Sequence, residues 1–486
     1  MDLFQKPGFS LVVLLVSFVI LQSLLPLRTT IKIGGDEGFE LSKALLCLKG
    51  HRLYTEVWND QPPLHTFLIT ETLKYITPSI LGPRLVTTGF TLLLLAALFF
   101  IVLRFNGLIA ATLTMGLLIA SPGFLALGSS CMLEMPALAT SIAALCVLLN
   151  LKSAKWPLGA IMSGLLFGAG CQIKLISVIL LVFVPAILWF EKRDSTSPKM
   201  GIIRSLVFFS VSLLISFVGI DLLVDDGAYL AHFGQSWISH FAATKSFEYG
   251  SPADHPFDWR ILFRNWDATL PAALGVVILF RQAKTNAAAI LPALWLGLVL
   301  LVFSIHRPWW SYYYLHISIP LCWCAAIGIL EIGRRAGRRK LSWCVVLLAA
   351  YAVFALPWLV GRLCVQVAEI RKSPQTYTAL VLPEIERFKP FTEFMYADDP
   401  VYSFHAGIPL PPDLAVVMLK RLWSGDMTNA KITEELTELK PGVILLANDA
   451  KERPFRKLLT SDYRMIYEDS SVRLYILKSI VHKADP

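Results

Sequence analysis

Apolar residues fall into about eleven long runs, covering 9–28, 84–103, 107–127, 134–151, 157–172, 173–190, 203–224, 268–281, 287–305, 311–333 and 341–361. A bilayer core of about 30 Å takes a helix of about 20 apolar residues, so each run predicts a membrane-spanning helix, with 157–172 and 268–281 short for the task. Residues 64–80 are apolar but broken by Glu71, Lys74 and Pro78. That pattern predicts a helix lying along the membrane surface. After residue 364 the pattern changes. Residues 401–404, 443–446 and 472–477 read as short strands. Stretches 413–423 and 430–440 read as helices, the second ended by Pro441-Gly442. The fold class predicted is an all-α polytopic membrane domain over 1–364, with a small C-terminal α/β domain over 365–486.

Composition agrees. Hydrophobic residues make up 55% of the chain and charged ones 16%, against roughly 25% charged in soluble domains. The eight cysteines form no disulfide framework and no paired CxxC, so free thiols are expected rather than a zinc site. No small-x-small cleavage pattern follows the first run, which predicts an uncleaved first span.

Charge orients the spans. With Lys6 in the cytoplasm, alternate loops carry Arg104; Lys152 and Lys155; Lys192, Arg193, Lys199 and Arg204; Arg281 and Lys284; and Arg334 to Lys340. Short cytoplasmic loops collect Lys and Arg, so one side is cytoplasmic, and an odd number of spans sends the tail to the other. The net charge of +9 resides in these short loops, which argues against nucleic acid as a partner.

Candidate chemistry gathers on the opposite, outer side. The first outer loop, 29–83, opens with Gly34-Gly35-Asp36-Glu37-Gly38. Adjacent carboxylates repel one another unless something uses them, although either can also cap a helix over 36–49. The loop continues through Tyr54 to Gln61-Pro62-Pro63-Leu64-His65, and Arg84 closes it. Glu134 sits at a span's mouth, an expensive place for a charge, and Lys174 lies between two runs. The fourth outer loop brings His232, His240, His255, Asp258, Arg260 and Arg264; the fifth runs from His306-Arg307 through Tyr312-Tyr313 to His316. Trp and Tyr there also suit a membrane-interface belt. Asp398-Asp399-Pro400 reads as a turn. No His-Glu-x-x-His and no P-loop occurs, which excludes those zinc and nucleotide chemistries.

Asp36-Glu37, then Tyr54 through Pro62-Pro63-Leu64, then Arg84-Leu85, Glu134-Met135-Pro136-Ala137 and Lys174 occur in an order similar to glycosyltransferases of the C superfamily. The protein O-mannosyltransferases and bacterial aminoarabinose transferases resemble it most. The resemblance covers about residues 9–360, with one departure: Gln61 stands where relatives often show His or a basic residue. It implies a polyprenyl-phosphate-linked sugar donor and a hydroxyl acceptor in lipid, glycan or protein. It further implies an extracytoplasmic site in a bacterial inner membrane. Under that reading Asp36 is the base, with Glu37 and Glu134 orienting the acceptor or holding Mg²⁺ or Mn²⁺. Arg84, Lys174 and Arg307 are expected at the donor phosphate, and Tyr54, His65, His306 and Tyr313 at the substrates. Two other readings stay open. A secondary transporter would show mid-span charges and an internal repeat, and the sequence has neither pattern. A non-catalytic membrane subunit of a glycan-assembly complex would tolerate loss of an outer acid.

Overall fold

The structure, a computed structural model, describes residues 6–76, 79–151, 157–192, 198–224, 227–238, 249–339, 342–373, 377–447 and 449–483. Pro78, Lys152, Lys155, Arg193, His240 and Lys340 lie outside them.

The apolar runs fall largely on helix, and the first loop adds two helices of its own. In chain order the helices are α1 (Pro7–Ser23), α2 (Glu37–Leu48), α3 (Leu64–Tyr75), α4 (Leu81–Asn106), α5 (Leu108–Ile119), α6 (Glu134–Asn150), α7 (Leu158–Ile173), α8 (Phe183–Lys192), α9 (Pro198–Val224), α10 (Trp266–Gln282), α11 (Leu291–Ile305), α12 (Tyr314–Arg339) and α13 (Ser342–Lys372). Among the described residues, five helices are long and apolar enough to cross a membrane: Leu81–Asn106, Lys199–Val224, Ala287–Ile305, Ser311–Ala336 and Val345–Lys372. Shorter apolar helices accompany them. The run 173–190 is not one regular helix. Lys174 breaks it in extended backbone, and a 3₁₀ segment, Leu175–Val182, precedes α8.

In lipid, helices gain little from hiding apolar surface, and small residues that let backbones touch do that work instead. Gly164 and Gly168 of α7 form such a seam. A Cβ on either would lie 2.3 Å from the Phe209 carbonyl oxygen or 2.6 Å from that of Leu213, both on α9.

The tail begins inside a helix, because α13 runs past the expected boundary at 364 to Lys372. Beyond it come α14 (Tyr377–Glu386), β1 (Met395–Ala397), α15 (Val401–Ala406), α16 (Leu419–Ser424), α17 (Asn429–Leu439), β2 (Val443–Leu446), β3 (Tyr463–Glu468) and β4 (Arg473–Leu477). The strands form one sheet in the order β1-β2-β4-β3, with β1 parallel to β2 and the remaining pairs antiparallel. Residues 443–446 and 472–477 thus match strands, but 401–404 does not. There Asp399 Oδ1 accepts from the Val401 N–H at 3.2 Å, and left-handed Gly407 ends the resulting helix. A four-residue apolar run fits either element, and these local signals decide it. The stretch 413–423 resolves into a 3₁₀ turn, Pro412–Leu414, and α16. Strand β3 escaped notice because its side chains are mostly exposed or half-buried, leaving little alternation to read.

The first loop and the tail share one hydrophobic core. Leu41, Leu45, Val57, Trp58, Ile69 and Leu73 belong to the same buried cluster as Val381, Tyr402, Leu436, Ile444 and Ile476. Gly38 permits the closest approach: a Cβ there would lie 2.6 Å from the Val401 backbone nitrogen.

Candidate active site

A cavity of about 1160 Å³ opens where the first loop, residues 122–133, the 306–315 segment and the tail meet. Its wall includes Asp36, Glu40, Asp60, Gln61, Lys174, His306, Arg307, Tyr312, Tyr313 and Lys420.

Asp36 occupies the N-cap position of α2, yet its side chain makes no capping hydrogen bond. The carboxyl lines the cavity instead, half-buried. Burial first, then the nearby charges of Glu134 and Glu40, push its pKa up to about 6, against the pull of Lys174 and a hydrogen bond from Tyr312. The capping role foreseen as an alternative is absent.

Lys174 sits where α7 ends and projects its ammonium to Glu134 Oε1 at the start of α6. The rings of Tyr312 and Tyr313 lie 5.0 and 5.5 Å from its Nζ, a range in which aromatic faces attract a cation. Glu134 itself is buried behind Lys174 and does not reach the cavity wall; its Oε2 has no hydrogen-bond partner among the described residues.

Glu37 and Arg84 stand apart from the cavity. Both side chains are 0% exposed, and Arg84 Nε and Nη2 each donate to Glu37 at 2.9 Å. Arg84 Nη1 donates to the carbonyls of Leu27 and Thr30, and Nη2 also to that of Ile31. All five guanidinium donors are thereby used. Glu37 further accepts the N–H groups of Ile33 and Cys131. Arg84 is therefore not placed to meet a phosphate, nor Glu37 an acceptor. Glu37 is turned away to Arg84 while Asp36 and Glu134 stand near one another, and among the described residues no group of three or more His, Cys, Asp or Glu is placed to hold a metal ion.

Tyr54 and His65 also lie behind the wall. Tyr54, buried and at φ +67°, donates from its hydroxyl to the Gln61 carbonyl and stacks on His232 at 4.3 Å. His65 Nδ1 meets Glu40 Oε2 at 3.1 Å, and buried Lys43 donates to Glu40 Oε1 and Asn59 Oδ1. Burial works against the Glu40 charge, but Lys43 and His65 outweigh it and hold its pKa below the usual range. These side chains brace the loop that carries Asp60 and Gln61.

His306, Arg307 and Tyr313 do line the cavity. Arg307 is exposed and donates to the Ala253 carbonyl at 2.8 Å. In the fourth loop His232 pairs with Asp221, His255 packs on Trp310 and Trp423, and Arg264 faces Asp258 at 3.8 Å on the surface.

The tail's contribution was not foreseen. Asp398, Lys420 and Trp423 line the cavity, and Lys420 Nζ lies 2.6 Å from Asp60 Oδ2. Lys32 likewise meets Asp399 at 2.7 Å. The only sequence signal was charge at 398–399 and 420 in a region read as a separate domain.

Comparison with known proteins places this geometry. A family described as dolichyl-phosphate-mannose-protein mannosyltransferase matches residues 46–235. No curated protein matches the sequence. The structure is similar to ArnT from Cupriavidus metallidurans bound to undecaprenyl phosphate, at TM-score 0.69 and 15% identity, covering 98% of this chain and 99% of that one. The apo state of ArnT matches at TM-score 0.68 and 16% identity, covering 97% and 98%. The Archaeoglobus fulgidus oligosaccharyltransferase matches at TM-score 0.51 and 11% identity, covering 96% and 73%. The chain has a fold similar to that of ArnT along nearly its whole length, and its residues 46–235 are similar to the dolichyl-phosphate-mannose-protein mannosyltransferase family.

Proposed function

We propose that this enzyme moves a glycosyl group from a polyprenyl-phosphate-linked sugar to a hydroxyl acceptor, with inversion, on the extracytoplasmic face. The orientation is supported by the basic loops, which fall on the side opposite the first outer loop and the tail when eleven spans are counted from the sequence. The donor rests on the similarity to ArnT, whose structure holds undecaprenyl phosphate, and on the cations Lys174, Arg307 and Lys420 lining the cavity.

The observation that carries the chemistry is Asp36: a cavity-lining carboxyl that caps nothing and whose proton affinity is raised toward neutrality. A base works best with a pKa near the working pH. Asp36 takes the acceptor's hydroxyl proton as that oxygen bonds to the anomeric carbon. The bond from the anomeric carbon to phosphate breaks, and its electron pair leaves on the lipid phosphate. Lys174, fixed by Glu134 and two tyrosine rings, attracts that growing charge. Attack and departure on opposite faces invert the anomeric centre, as in inverting hydrolases. Glu134 acts by holding Lys174 in place.

Single-turnover transfer from a synthetic polyprenyl-phosphate sugar, with the product's anomeric configuration read by NMR, tests this. Retention of configuration would remove the single-displacement mechanism, and absence of transfer to any hydroxyl acceptor would remove the reading itself.

A further inference from the structure

We propose that Lys420, a side chain of the tail helix α16, is a ligand of the donor's phosphate, so that the active site is completed from near the chain's far end. This rests on the polyprenyl-phosphate reading above.

The placement of the cavity's cations supports it. Lys174 is held by Glu134, and Arg84 is saturated and outside the wall. Arg307 is exposed and turned to the Ala253 carbonyl, and Lys451 lines the wall near Asp398. Within the first loop, Lys43 turns inward to Glu40 and Asn59, and Gln61 on the wall is neutral. The wall formed by Asp60 and Gln61 thus gains its positive charge from Lys420, across the domain junction. The Lys420 side chain is 18% exposed, open enough to meet a ligand and shielded enough for its charge to count.

Lys420 and Lys174 also act on one common neighbour. Burial first, then the charges of Lys420 and Lys174, lower the proton affinity of His306. Two cations from distant parts of the sequence thus line one cavity with His306 and act on it electrostatically. Asp60 steadies this arrangement: its Oδ2 accepts from Lys420 Nζ at 2.6 Å and from Gln61 Nε2 at 3.0 Å. A lysine stem is flexible, and a phosphate arriving beside this pair competes with Asp60 for the ammonium. The competition sharpens during reaction. A diester donor carries one negative charge, and bond cleavage adds charge to the departing oxygen, so the attraction to Lys420 grows toward the transition state.

The structural alternative is that Lys420 only latches the tail onto the first loop. Binding of undecaprenyl monophosphate to the full-length protein in detergent separates the two, using K420M, K420R and D60N. Phosphate binding by Lys420 predicts at least tenfold weaker affinity for K420M, near-normal affinity for K420R, and unchanged or tighter affinity for D60N, which removes the carboxylate charge that competes with the phosphate. Equal losses in K420M and D60N, or wild-type affinity in K420M, would overturn the proposal. Should K420M fail to fold, the double variant D60N/K420M, which removes both partners, is read the same way. If the wild-type protein itself does not bind undecaprenyl monophosphate, the donor reading falls and Lys420's role with it.

Discussion

Glu37 and Arg84, 47 positions apart, meet through two parallel hydrogen bonds of 2.9 Å with neither side chain exposed. The pair ties the start of α2 to the start of α4. Because Asp36 immediately precedes Glu37, this buried clasp sets where the adjacent carboxyl stands. Of the two neighbouring acids, one organises the loop and the other faces the cavity.

Removing one partner leaves a buried charge uncompensated, which costs about 3–5 kcal/mol. E37Q and R84M should each unfold at lower denaturant or temperature in detergent. R84K should not restore stability, because an ammonium cannot reproduce the fork that satisfies Glu37 and three carbonyls. Wild-type stability in R84M would show that the clasp contributes little.

Asp36→Asn separates chemistry from folding. The variant cannot accept a proton, so turnover should fall by at least about 10²-fold. It should fold as well as the wild type or better, since Asp36 makes no side-chain cap and burial disfavours its charge. Single-turnover transfer and thermal melting measure the two effects. Near-normal transfer would move the base to another group.

The pH dependence follows from the same residue. With its pKa pushed up to about 6, Asp36 is protonated and inactive as a base below that pH, and ionised above it. The transfer rate should therefore rise as pH increases through about 6 and then level off, with the rise missing from the residual activity of Asp36→Asn. A midpoint near the ordinary carboxylate value of about 4 would contradict this environment.

Reporter fusions test the orientation. A reporter after Arg339 should be cytoplasmic and one after Ser403 extracytoplasmic, because the basic cluster 334–340 precedes a single span, α13. Both on one side would undo the common outer site.

The sequence showed more of the membrane half than of the site. Apolar length alone located the helices, and the cost of a charge at a span's mouth pointed to Glu134 and Lys174. Asp36 stood out as an acid following two glycines, but the sequence could not separate it from Glu37. Only the partner at position 84 makes that distinction, and long-range pairing leaves no local pattern. For the same reason Tyr54 and His65, expected at the substrates, face inward to Gln61 and Glu40. Lys420 and Trp423 went unnoticed because hydropathy does not say where a soluble tail docks.

The core shared by residues 41–73 and the tail has a consequence in time. Ribosomes emit the first loop early, but its buried neighbours Val381 through Ile476 follow roughly three to four hundred residues later. At about 5–20 residues per second, Leu41, Trp58 and Ile69 wait roughly a quarter of a minute to a minute and a half for the surfaces that cover them. The loop bearing Asp36 therefore stays unfinished until nearly the whole chain has been made. A prematurely terminated product, though inserted in the bilayer, would expose that apolar face to proteases and chaperones. Completeness of synthesis is thus checked by the same contacts that shape the cavity.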